Sequence, residues 1–195
     1  MDIHLSQMKP IYPPPPNNRH IQDTPTITTT LTTLNLIPHI EGGFFAETDR
    51  DPRLVPNPHP PRPPPSDTAE EDKTRSASTS IIYLLTPRSP LGAFHRNASR
   101  TVHALHRGRG RYVILHADGE SVRRNGGRAG VETFVVGCDV GRGEKLQWVV
   151  EGGRYKASFL LPDRDYEEGE ESGGLLISEV SMPYLDYLGC GVNVL

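Results

Sequence analysis

The side chains of this chain that could carry chemistry sort by their spacing. His95 and Asn97 stand two apart, as do Thr101, His103 and Leu105, and Arg154, Lys156 and Ser158. In an extended chain each set shares one face, because successive side chains alternate. Imidazole titrates near neutrality, and an ammonium can hold negative charge developing on an oxygen. His95, His103 and Lys156 could therefore together move a proton to and from a carbon acid or an enol. His95 is the expected general base or acid, with His103 assisting and Lys156 stabilising the substrate oxygen. Tyr83, Asn97, Thr101, Glu47 and Gln147 are the expected substrate contacts. Simpler readings stand beside these: Lys156 as a snorkelling side chain, His103 as a packing residue, and Glu47 with Arg50 as a structural ion pair.

Strands must position these groups. STSIIYLL (78–85) is β-branched and aromatic. TVHALHRGRGRYVILHADG (101–119) reads as strand, glycine-marked turn and strand. VETFVVGCDVGRGEKLQWVV (131–150) gives two more strands around Gly141 and Gly143, and RYKASFLL and GLLISEVSM follow. Only TITTTLTTLNLIP (26–38) has helical spacing, through Leu31, Leu34 and Ile37. Its threonines make it a poor isolated helix, so tertiary contacts must hold it. Glu41, Gly42 and Gly43 fit a turn entering the first strand.

Two zones fall outside this pattern. Residues 1–25 are proline-rich and read as an extended arm. Residues 51–76 are proline-rich and then charged, and read as a long surface loop within a single domain spanning 26–195. The whole chain carries 19 glycines and 19 prolines, which argues against a helical bundle and for short strands joined by turns. With 21 basic and 24 acidic residues, no global basic field draws it to nucleic acid. The cluster HRGRGR (106–111) fits a solvated hairpin turn. No apolar run is long enough for a membrane helix, and the N-terminus does not read as a secretory signal. Cys138 and Cys190 make neither a disulfide framework nor a zinc spacing. A soluble cytoplasmic chain is expected.

Several stretches carry a family resemblance. LIPHIEGGFFAETDR (36–50), STSIIYLL, FHRNASRTVHALHRG (94–108) and GEKLQWVVEGGRYKAS (143–158) together resemble a branch of small, largely uncharacterised cupins. That branch has a Pro-His-x-Glu-Gly-Gly opening and a Phe-His-Arg segment. The resemblance covers about residues 30–190. It implies an all-β fold, a double-stranded β-helix or jelly-roll barrel with a few short peripheral helices. It also implies a homodimer and a small-molecule pocket inside the barrel, where His95, His103 and Lys156 would gather. The metal-binding blocks of cupins, laid on this chain, fall on His95, Asn97, Thr101 and Gly108, then on Glu151, Gly153 and Lys156. Only His95 survives there as a ligand, so no metal or other cofactor is expected. The implied activity is a metal-independent isomerase, epimerase or cyclase acting on a small oxygenated metabolite, as in polyketide-like natural-product biosynthesis. Two alternatives are a non-catalytic binding cupin and a metal-dependent oxygenase or decarboxylase with an unusual ligand set.

Overall fold

The computed structural model of the chain describes residues 10, 12, 22–58, 74–163 and 172–182. Residues 1–9, 11 and 13–21 of the N-terminal arm and 59–73 of the proline-rich loop therefore lie outside the described residues.

Period-2 alternation builds two sheets. The larger has the order β1 (Ile37–Pro38), β2 (Phe44–Arg50), β5 (Thr79–Leu85), β12 (Leu175–Met182), β7 (Arg100–Arg107) and β10 (Gln147–Val150). The smaller runs β6 (Leu91–Arg96), β11 (Tyr155–Leu160), β8 (Gly110–His116) and β9 (Gly130–Val136), and every pairing is antiparallel. A core of Tyr83, Leu85, Tyr112, Ile114, Phe134, Val136, Trp148, Leu160, Leu175 and Ile177 draws on strands of both sheets. These are alternate residues of their strands, as one buried face requires.

A helix, α1 (Pro25–Thr33), packs outside the barrel. The Thr24 hydroxyl caps it by accepting from the Ile27 amide at 3.3 Å, and Pro25 opens its first turn. Ile27 is fully buried against Leu36, Phe44 and Leu84, so tertiary contact anchors this threonine-rich segment. The expected stripe is shifted, because Leu34 and Ile37 are exposed and Ile37 begins β1. The stretch after β8 is more than a turn. Asp118 accepts from the Ser121 amide at 2.8 Å and starts the short helix α2 (Gly119–Arg124). The expected surface loop 51–76 also has a structured stem, since β3 (Leu54–Pro56) pairs with β4 (Thr74–Ser76) and Val55 is buried.

The turn before β2 depends on two glycines with left-handed backbone, Gly42 at φ 96° and Gly43 at φ 70°. A Cβ on Gly42 would lie 2.0 Å from the Leu91 carbonyl oxygen, and one on Gly43 would lie 2.6 Å from the Tyr83 hydroxyl. Only hydrogen fits at either place. Gly43→Ala is expected to lower stability by about 1–3 kcal/mol through strained backbone alone, with the crowding on Tyr83 added. Urea unfolding measures this; an unchanged midpoint would mean that the turn is not constrained as described.

Candidate functional site

Register brings the ionisable groups together. Lys156 on β11 faces His95 on β6 across one ladder, and Glu179 on β12 faces His103 on β7 across another. The two ladders belong to opposite sheets, so four ionisable side chains from four strands converge inside the barrel. Lys156 is 1% exposed and His103 fully buried. The Lys156 ammonium donates to Glu179 Oε2 at 2.5 Å and to His103 Nε2 at 2.9 Å. His103 Nε2 stands 3.2 Å from Glu179 Oε2, which closes a triangle. The His103 ring stacks on Trp148 at 5.0 Å between centroids, and this fixes its plane.

The electrostatics follow from burial and pairing. Burial would raise the Glu179 carboxyl, but the Lys156 ammonium and His103 outweigh it and hold the group well below the usual carboxylate range. Burial pushes the His103 imidazole down against the attraction of Glu179, so it is neutral at neutral pH. The cluster is thus one internal ion pair with a neutral imidazole accepting from the ammonium. Burial, with Glu179 adding its charge, also raises the phenols of Tyr83 and Tyr112, which remain protonated donors.

A cavity of about 200 Å³ opens beside the cluster. Lys156 and Glu179 line it together with Tyr83, Tyr112, Ser158 and Asn97. His39, Glu41 and His95 contribute a second polar group to the same cavity. His95 Nδ1 lies 2.9 Å from the Ala93 carbonyl and 3.1 Å from Glu41 Oε2, while His39 Nδ1 lies 3.8 Å from that same oxygen. The Glu41 carboxylate therefore sits between two imidazoles. With Nδ1 of His95 engaged, Nε2 is the ring nitrogen left for a ligand. Tyr83 donates to the Gly42 carbonyl at 2.8 Å, which ties the phenol to the glycine turn.

Of the expected site residues, His95, Lys156, Tyr83 and Asn97 line this cavity, and His103 lies behind it in contact with Lys156. Three others stand elsewhere. Glu47 is exposed and bound to Arg50 at 2.5 Å, and is the last residue of β2 before a bulge shifts the β2–β5 register. Gln147 is exposed on β10, where alternation turns the neighbouring Trp148 inward instead. Thr101 is buried, its hydroxyl 3.5 Å from the Val150 carbonyl, and does not line the cavity. His39, Glu41, Tyr112 and Glu179 are polar cavity residues that sequence reasoning did not place there. For Glu179 a signal existed, because Leu175, Ile177 and Glu179 continue one inward face and a carboxylate there must find a partner.

The donors present do not fit a divalent cation. Lys156 already places a positive charge between His103 and Glu179. A divalent ion about 4 Å from that ammonium would meet repulsion of about 8 kcal/mol at an effective dielectric of about 20. Among the described residues, no group of three or more His, Cys, Asp or Glu side chains could hold a metal ion.

Two antiparallel sheets closed around a polar cavity, with the ionisable groups on facing strands, define a jelly-roll cupin barrel. The chain belongs to the family described as Cupin superfamily (DUF985), whose model matches residues 28–191. An uncharacterized protein of Saccharomyces cerevisiae, YML079W, is 45% identical over 152 residues, covering 78% of this chain and 67% of the yeast protein. A hypothetical protein from Leishmania major has a similar structure at 32% identity, with a TM-score of 0.59 and 82% of both chains covered. Protein SO0799 from Shewanella oneidensis shares the fold at 19% identity, with a TM-score of 0.55, covering 85% of this chain and 80% of its own. No helix among the described residues is long and apolar enough to cross a membrane.

Proposed function

We propose that this chain is a metal-independent cupin enzyme catalysing an isomerase, epimerase or cyclase-type proton transfer on a small oxygenated metabolite, in natural-product biosynthesis. The observation that carries the reading is the convergence of His95 and Lys156 on one small cavity, where an acid–base group faces an ammonium. His95, oriented by Glu41 and the Ala93 carbonyl, takes the proton from a carbon next to a carbonyl and returns it. The negative charge this creates on the substrate oxygen is met by the Lys156 ammonium and the Tyr112 phenol. A cavity of about 200 Å³ takes a compact substrate and leaves a large activating group, such as a nucleotide, outside.

The test is incubation of the protein in heavy water with a panel of small ketones, hydroxy acids and cyclisable dicarbonyls, read by mass spectrometry. Protein-dependent deuterium at carbon is expected for at least one class. Compounds that bind without any exchange would replace this reading with that of a non-catalytic binding cupin.

The Pro38-His39 and Glu41-Gly42-Gly43 opening, with Phe94-His95-Arg96, supports placing the chain in the branch of small cupins that shares these segments. The proposal extends to a cytoplasmic homodimer, since strands β1 and β10 leave the larger sheet with edges that pairing would cover. Solution scattering should give twice 21.6 kDa. A compact particle of 21.6 kDa at all concentrations would reject the dimer.

A further inference from the structure

We propose that the Lys156 ammonium is the resident cation of this cavity, standing where a divalent metal would otherwise be bound by His103 and Glu179. This goes beyond the proton-transfer reading and does not depend on it.

The argument starts from the triangle. His103 Nε2 and Glu179 Oε2 are 3.2 Å apart and both lie within 2.9 Å of one nitrogen, Lys156 Nζ. An imidazole nitrogen and a carboxylate oxygen are ordinary ligands of zinc and cobalt, at about 2.0–2.2 Å. A modest contraction of the 2.5 and 2.9 Å contacts would therefore turn the ammonium site into a metal site. Both ligand atoms are also already turned toward one point, the position of the Lys156 nitrogen. The cluster thus has two ligands and one cation, and the cation is covalently part of the chain.

A built-in cation differs from a metal in what it offers a ligand. An ammonium has three N–H donors and no vacant orbital. Two donors go to Glu179 and His103, and Lys156 lines the cavity, so the third is what a ligand oxygen would meet. The ligand class this favours is a carbonyl, enolate or carboxylate oxygen held by hydrogen bonding and charge. It disfavours ligands that need inner-sphere coordination, such as dioxygen.

Replacing the lysine by a metal ligand tests the idea directly. An imidazole at position 156 plus one metal–nitrogen bond of about 2.0–2.1 Å spans roughly the reach of a lysine side chain. Lys156→His would then complete a three-ligand set with His103 and Glu179. The probe is cobalt(II) alone, followed by visible absorption and equilibrium dialysis, with circular dichroism to confirm folding. Lys156→His is expected to bind about one cobalt per chain with the intense absorption of a low-coordinate site. The wild type and the double variant Lys156→His/His103→Ala are expected to bind none in the cavity. Lys156→Cys, a smaller residue with a thiolate ligand, is measured alongside and decides the matter if the histidine variant does not fold. Folded Lys156→His and Lys156→Cys that both fail to bind cobalt would overturn the proposal. So would stoichiometric cobalt binding by wild type that His103→Ala abolishes, which is a readable result even if neither variant folds. Activity enters none of these readouts, so the outcome stands apart from that of the exchange experiment.

Discussion

Glu179→Ala is expected to destabilise the barrel by about 3–5 kcal/mol, the cost of leaving one member of a buried ion pair without its partner. The variant strands the Lys156 ammonium, 1% exposed, with only the neutral His103 imidazole to accept from it. Urea or thermal unfolding measures the effect. The companion double variant, Lys156→Met with Glu179→Leu, removes both charges and fills the same space with apolar atoms. It is expected to fall within about 1 kcal/mol of wild type, because a buried pair as a whole contributes little net stability. A single variant as stable as wild type would show that water reaches the lysine and that the cluster is not closed.

The same cluster sets the acid side of the stability curve. Glu179 and His103 both have folded values held below their ordinary ones. The unfolded chain therefore binds more protons on acidification, and stability falls with falling pH. The His103 contribution begins to fade below its ordinary value of 6.5, and that of Glu179 below 4.5. Glu179→Gln should flatten the part of the slope below pH 4.5. An unchanged slope would assign acid denaturation to other carboxylates.

How far the site could be read from sequence depended on whether local alternation or distant pairing positions a residue. His95, Asn97 and Lys156 were legible because each lies on a regular strand, where one inward residue fixes the next but one. The cupin resemblance supplied what alternation cannot, namely a barrel with a small-molecule pocket inside it, while the pairing of β6 with β11 came only from the structure. Glu47 and Gln147 stand outside the cavity because Glu47 begins the solvent-exposed half of β2 and Gln147 lies on the outward face of the edge strand β10, neither of which is visible in composition. Glu41 was read as part of a turn, which it is. Its amide donates to His39 Nδ1 at 3.2 Å, and its carbonyl accepts from the Ala93 amide at 2.6 Å. That second bond clamps the turn onto β6, and only through this contact between residues 52 positions apart in sequence does the carboxylate reach His95. Glu179 was the costly omission. Its strand looks like any apolar strand until the lysine on the opposite sheet is placed against it.

His95→Ala is expected to fold normally and to lose about 100- to 10,000-fold in the rate of deuterium exchange into a true substrate, the usual cost of removing a positioned acid–base group. Folding should survive because His95 is only half-buried and its Nδ1 contacts are to a backbone carbonyl and to Glu41, outside the buried triangle. The rate should fall because Lys156 and Glu179 neutralise each other, His103 lies behind them, and Nδ1 of His39, the other imidazole lining the cavity, is taken up by the Glu41 amide. Glu41→Gln provides the graded control. It keeps the shape of the mouth and removes the carboxylate that orients the His95 ring at 3.1 Å, so a smaller loss than that of His95→Ala is expected. His116→Ala, at the end of β8 beside Glu132, should leave the rate unchanged. Full exchange by folded His95→Ala would transfer the proton-carrying role to another group on the cavity wall, with His39 across the Glu41 carboxylate the next to replace.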